Sequence, residues 1–154
     1  MFTQSQVLQK DKVYLALYKA KGNVVNGIIR AWEGSPYSHA ELVVNGEGYS
    51  SSMRDGGVRI KAMPFSKDKW DLLPLDFADA GQIRAWFVAH DGIKYGYLDL
   101  LFTKILRLPG NKKGMFCYEA IASALGFVEP HQMTAARLLE LCHEKNLSHH
   151  VRTT

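Results

Sequence analysis

The sequence predicts an α+β domain in which a run of short antiparallel strands precedes a run of helices. Three observations carry this. Residues 12–19, KVYLALYK, alternate Val13, Leu15 and Leu17 against Tyr14, Ala16 and Tyr18, the period of a half-buried strand. Turn dipeptides then recur at short intervals, among them Asn45-Gly46 and Asp55-Gly56, as hairpins require. From Asp79 onward the apolar period lengthens to that of a helix. Strands first and helices second place the chain in the α+β class.

The elements follow in order. After Lys21-Gly22-Asn23, VVNGIIRAWE (24–33) reads as a second strand, and Gly34-Ser35-Pro36-Tyr37-Ser38 is a turn. HAELVV (39–44) is a strand rich in aliphatics, and NGEG followed by YSSS turns it back as a hairpin. RDGG (54–57) is another tight turn, with VRIKAM and KWDLLPL as the next strands. Asp79 is a helix N-cap with Gln82 three residues on, and Ile83, Trp86, Phe87 and His90 form a helical stripe that Asp91-Gly92 ends. KYGYLDLLFTKILRLPG repeats the pattern with Tyr95, Leu98, Leu101, Phe102 and Ile105. FCYEAIASALG puts Cys117, Ala120, Ile121, Ala124 and Leu125 on one stripe, closed by Gly126. TAARLLELCHEK starts at a Thr134 cap and buries Leu138, Leu139 and Cys142; His149 and His150 are expected in a disordered polar tail. There is no repeat or linker, so residues 1–154 form one domain with its core over about 12–145.

Composition narrows the function. A net charge of +4 on 154 residues is only mildly basic, and the basic residues are scattered, so nucleic acid is not an expected partner. No apolar run approaches the roughly 18 residues of a membrane span. MFTQSQVLQKDK lacks a basic head followed by an apolar run, so no secretory signal is read and a cytoplasmic location is expected. The two cysteines form no C-x-x-C pair and read as free thiols. No H-E-x-x-H, P-loop or dinucleotide fingerprint occurs, so no metal or organic cofactor is expected.

Cys117 stands out because a glycine-punctuated loop runs into a helix whose first turn holds it. The positive field at a helix start favours thiolate, the nucleophilic form, and the free amides there can hold an oxyanion. The same cysteine also fits the apolar stripe of its own helix, and a buried structural thiol is the competing reading. Such a nucleophile needs a histidine. Of the six, His39 is the candidate, since it opens an aliphatic strand that can hold an imidazole rigidly. Glu41 shares its face and could orient the ring. The returning hairpin arm offers rivals: a type I′ turn sets Ser52 opposite His39 and Ser50 opposite Glu41, and a looser turn brings Ser51 there. Cys142, at i+4 from Leu138, reads as core.

A histidine in YSHAELVV, then a hairpin, then a helix-initial cysteine in FCYEAIASALG resembles the circularly permuted papain-like, NlpC-type, cysteine hydrolases, a superfamily that includes lecithin retinol acyltransferase-like proteins. The His-then-Cys order is that of the permuted branch. KYGYLDLLF is similar to the helix preceding the cysteine there, MTAARLLELC resembles the closing helix, and YSSSMRDGGVRIK resembles bacteriophage-encoded members. The likeness runs from about Val13 to Cys142. It implies a papain-like core with a partly barrel-like sheet, a Cys117–His39 dyad and acyl transfer to water without a cofactor. It implies as substrate a peptidoglycan-type peptide, a lipid acyl ester or another amide, with a phage-type cell-wall peptide favoured and a virion-associated setting. The family's third residue, a His, Glu or Gln on the strand after the histidine strand, is replaced here by serines, which leaves Glu41, a serine or a water for that role. Tyr118 stands where serine is usual, while Glu119 keeps its place. Two other readings stand beside it: a non-catalytic virion or host-interaction module on the same fold, and a protease, deamidase or acyl hydrolase acting on other substrates.

Overall fold

A computed structural model describes residues 8–21, 24–94 and 115–154. Five strands, β1 (Tyr14–Tyr18), β2 (His39–Val44), β3 (Glu47–Ser52), β4 (Gly57–Ala62) and β5 (Trp70–Pro74), form one antiparallel sheet in the order β4-β3-β2-β1-β5. Four α-helices accompany it among the described residues: α1 (Val24–Glu33), α2 (Ala80–Ala89), α3 (Cys117–Ala124) and α4 (Ala135–Thr153). The mixed class expected from the pattern is found. The sheet is open, with β4 and β5 as edges, where a partly barrel-like one was expected.

Two local expectations are corrected. Residues 24–33 form α1 and not a strand. Their apolar positions, Val24, Val25, Ile28, Ile29 and Trp32, recur at i, i+1, i+4, i+5 and i+8, a helical stripe. Strand alternation would instead set Asn26 and Arg30 on the same face as Ile28. At the other end, His149 and His150 lie within α4, which runs on to Thr153. No Gly or Pro follows Cys142 to stop it. Asn146 also ties this stretch to β5, donating to Pro74 O at 2.8 Å and accepting from the Asp76 amide at 2.9 Å. The helix expected over 94–110 lies outside the described residues.

The turn and cap readings hold. Asn45 and Gly46 have φ of 50° and 79°, as a type I′ turn requires, and Val44 pairs with Glu47 across it. Asp79 caps α2 by accepting from the Gln82 amide at 2.8 Å, and Thr134 caps α4 from the Arg137 amide at 3.2 Å. Gly126, with φ of 73°, follows α3.

Strand alternation gives the sheet two different faces. Leu15, Leu17, Ala40, Leu42, Tyr49 and Val58 face the helices, where they pack against Ile83 and Phe87 of α2, Ile121 of α3 and Leu138 of α4. On the other face Tyr14, Ala16 and Val43 meet Phe65, from the segment that joins β4 to β5, and Trp70, the first residue of β5. Each fully buried side chain of this size stabilises the fold by about 1.5–3 kcal/mol. No helix among the described residues is long and apolar enough to cross a membrane.

β4 starts with a close approach. Gly57 has φ of 150°, and a Cβ there would fall 2.0 Å from the Ile93 carbonyl oxygen, which accepts from the Val58 amide at 2.8 Å. Gly57→Ala should therefore destabilise the protein by about 1–3 kcal/mol, read as a lower urea midpoint. An unchanged midpoint would contradict this contact.

Candidate active site

The two faces of the sheet meet at the start of β2. The β2–β3 pairing ends at Leu42 opposite Tyr49, and beyond it serine hydroxyls take over. Ser50 Oγ donates to Ala40 O at 2.6 Å, and Ser51 Oγ donates to Met115 O. The second bond fixes the chain two residues before Cys117, the first residue of α3. Cys117 is 3% exposed and sits in the helix-side core.

His39 opens β2 opposite Tyr18 of β1, and its ring meets Trp70 edge-on with centroids 6.2 Å apart. Its Nε2 lies 2.6 Å from Glu41 Oε1. The Cys117 side chain also lies near enough to this imidazole to raise its affinity for a proton. With Nε2 engaged by Glu41, Nδ1 is the nitrogen left for the sulfur. The structure thus brings together the three residues singled out in the sequence, Cys117, His39 and Glu41, with the imidazole in the middle.

Glu41 has no exposed side-chain surface. A buried carboxylate on its own would take up a proton. Arg59 of β4 prevents this with a fork, Nη1 to Oε2 at 2.6 Å and Nη2 to Oε1 at 2.5 Å. Arg59 is held from its other side by Asp55, which accepts from Nε at 2.9 Å and from Lys61 Nζ at 2.9 Å. Gly48 makes room for the carboxylate, since a Cβ there would lie 2.8 Å from Glu41 Oε2.

The protonation states follow. Burial works against charge on Glu41, but the bonds from Arg59 and His39 win, and its carboxyl is held below the ordinary range. Burial likewise opposes a charged His39. Its interactions with Cys117 and Glu41 outweigh that, and the imidazole is pushed up from 6.5 to about 10. Lys61 first, then Arg59, hold Asp55 down at about 2 against burial.

The serines of β3 make bonds of another kind. Ser50 and Ser51 are committed to backbone carbonyls, and no described hydrogen bond joins either, or Ser52, to His39. The other histidines are elsewhere: His90 Nδ1 lies 2.7 Å from Trp86 O, and His150 Nε2 lies 3.0 Å from Asp76 Oδ2. His131 and His143 are exposed. Cys142 is fully buried, which pushes its thiol up to about 12. Among the described residues no cluster of side chains could hold a metal.

Arg59 is the residue that sequence reasoning missed. Its signal was the pair of tight turns. They set Ser50 opposite Arg59, and the I′ register continued sets Ser50 opposite Glu41, so Glu41 and Arg59 share one row across three strands.

A cleft of about 370 Å³ opens on this face of the sheet, with His39 and Glu41 in its lining. Cys117 is not part of that lining and is buried in the helix-side core. Comparison of the chain with family models, with curated proteins and with solved structures finds no match in any of the three.

Two outcomes are expected. Arg59→Met strands a buried carboxylate and should cost about 3–5 kcal/mol in denaturant unfolding, while adding Glu41→Leu should restore a large part of it. Independent, additive losses would contradict the pairing. The second concerns pH. His39 binds its proton more tightly folded than unfolded, so its contribution is complete below pH 6.5 and is lost as pH rises toward 10. Thermal midpoints of the wild type should fall over that window, and His39→Gln should flatten this part of the profile.

Proposed function

We propose that this chain is a cysteine hydrolase that cleaves an amide bond by acyl transfer to water. The observation that carries the reading is one imidazole held between a helix-initial cysteine and a buried, ionised carboxylate. The positively charged His39 supports a thiolate on Cys117 as an ion pair. The sulfur attacks the carbonyl carbon, a C–S bond forms, and charge develops on the carbonyl oxygen. The Cys117 amide, a first-turn donor that the helix does not use, is the donor we assign to that oxyanion. His39 gives its proton to the leaving nitrogen as the C–N bond breaks. Neutral His39 then takes a proton from water, whose oxygen displaces the sulfur and releases the acid. Glu41, fixed by Arg59, keeps the ring in one orientation throughout.

The arrangement accords with the permuted papain-like fold that the sequence resembles: a histidine strand before a cysteine helix, with sheet and helices in one unit. In this reading Glu41, on the histidine strand itself, replaces the third residue that the family carries on the next strand. The substrate we propose is a cell-wall peptide of the phage-type amidase or endopeptidase class, supported by the sequence resemblance. A protein or acyl substrate is the variant within the same chemistry.

The burial of Cys117, at 3% exposed, favours a second reading, a non-catalytic virion or host-interaction module that retains the fold. Thiol labelling separates the two. Iodoacetamide should modify Cys117 and leave Cys142 untouched, and His39→Ala should slow the reaction at least about tenfold. Equal, slow labelling of both proteins would favour the module. Peptide release from purified cell wall should fall by about 10²-fold or more in His39→Ala and vanish in Cys117→Ser. No release above the Cys117→Ser control would remove the cell wall as substrate.

A further inference from the structure

The cleft beside His39 has a chemistry of its own. Four cationic side chains line it, Arg54, Arg59, Lys61 and Lys69, against two carboxylates, Glu41 and Asp55. Both carboxylates are already used: Glu41 by Arg59 and His39, Asp55 by Arg59 and Lys61. Arg54 and Lys69 make no salt bridge among the described residues, so the positive excess faces the opening.

A second observation points the same way. Ser38, next to His39 in the chain, lines the cleft and is 5% exposed, and its Oγ has no hydrogen-bond partner among the described residues. A buried hydroxyl without a partner is costly, and a ligand oxygen would satisfy it. Met53, Met63 and Trp70 supply apolar wall between these polar points. A cleft with apolar walls and a few convergent polar groups is the usual form of a ligand site.

We infer that this cleft binds a peptide carrying a carboxylate, with Ser38 as a hydrogen-bond donor and Arg54 and Lys69 as the charges that select it. The inference rests on the hydrolase reading for its meaning as a substrate site. Arg59 is excluded from this role because Glu41 and Asp55 occupy it. Lys61 contributes charge but is shared with Asp55.

The test measures binding, so it does not depend on turnover. Full-length Cys117→Ser protein is titrated by calorimetry with a blocked Ala-Glu-Ala tripeptide and with its Ala-Gln-Ala counterpart. The acidic peptide should bind about tenfold tighter, and raising the salt from roughly 0.05 to 0.5 M should remove most of that margin. Arg54→Gln combined with Lys69→Gln should bring the two peptides to parity. Both positions are exposed, and circular dichroism checks that the variant is folded. Ser38→Ala should weaken both peptides. Parity in the parent protein, or a preference that survives the double substitution, overturns the inference. Capture by vesicles containing anionic lipid, together with peptide parity, overturns it in favour of a lipid surface. Slow, His39-independent labelling of Cys117 alongside a clear preference for the acidic peptide would remove the hydrolase and leave the binding site standing.

Discussion

Glu41 is a carboxylate without exposed surface, set in the middle strand of the sheet, and it stays ionised. Taking such a charge out of water costs several kcal/mol, and no single bond offsets that. Arg59 meets both oxygens, His39 takes one of them again, and Gly48 withholds the Cβ that would crowd the second. Asp55, itself held by Lys61, then orients Arg59 from outside. A buried pair of this kind is weak as a source of stability, since well-packed apolar residues often do as well. What it does supply is a fixed acceptor for one imidazole nitrogen, and with it a fixed direction for the other.

That direction links the two layers of the molecule. The helix side of the sheet is an ordinary apolar core, closed by α2, α3 and α4. The opposite side carries Glu41, Arg59 and Lys61 among Tyr14, Val43, Phe65 and Trp70. His39 sits at the end of β2, where the regular ladder to β3 has stopped and serine hydroxyls secure the backbone of the segment leading to Cys117. The sulfur belongs to the core of one layer and the carboxylate to the other. His39, at the strand end, is in reach of both.

Much of this was legible in the chain. Period-two alternation located β1, and of the two turns that Asn45-Gly46 allows, the type I′ turn is the one found. The Asp79 and Thr134 caps marked two helix starts within a residue. His39, Glu41 and Cys117 were recognisable because each combines a reactive side chain with an element boundary or a shared strand face. What escaped had physical reasons. In residues 24–33 the β-branched pairs Val24-Val25 and Ile28-Ile29 suit a buried strand as well as a helix. The polar tail around His149 and His150 reads as disordered by composition, yet Asn146 and His150 dock this end of the helix onto Pro74 and Asp76. Arg59 is visible only after two successive registers are combined, and no local pattern distinguishes it from any other basic strand residue.

The account turns on His39 being positively charged between Glu41 and Cys117 at neutral pH. A titration of the histidine ring nitrogens by NMR in the full-length protein measures this directly, with His39→Gln used to assign the signal. The account predicts one imidazole that keeps both protons through neutrality and loses one near pH 10. A His39 ring that titrates near its ordinary 6.5 would contradict it.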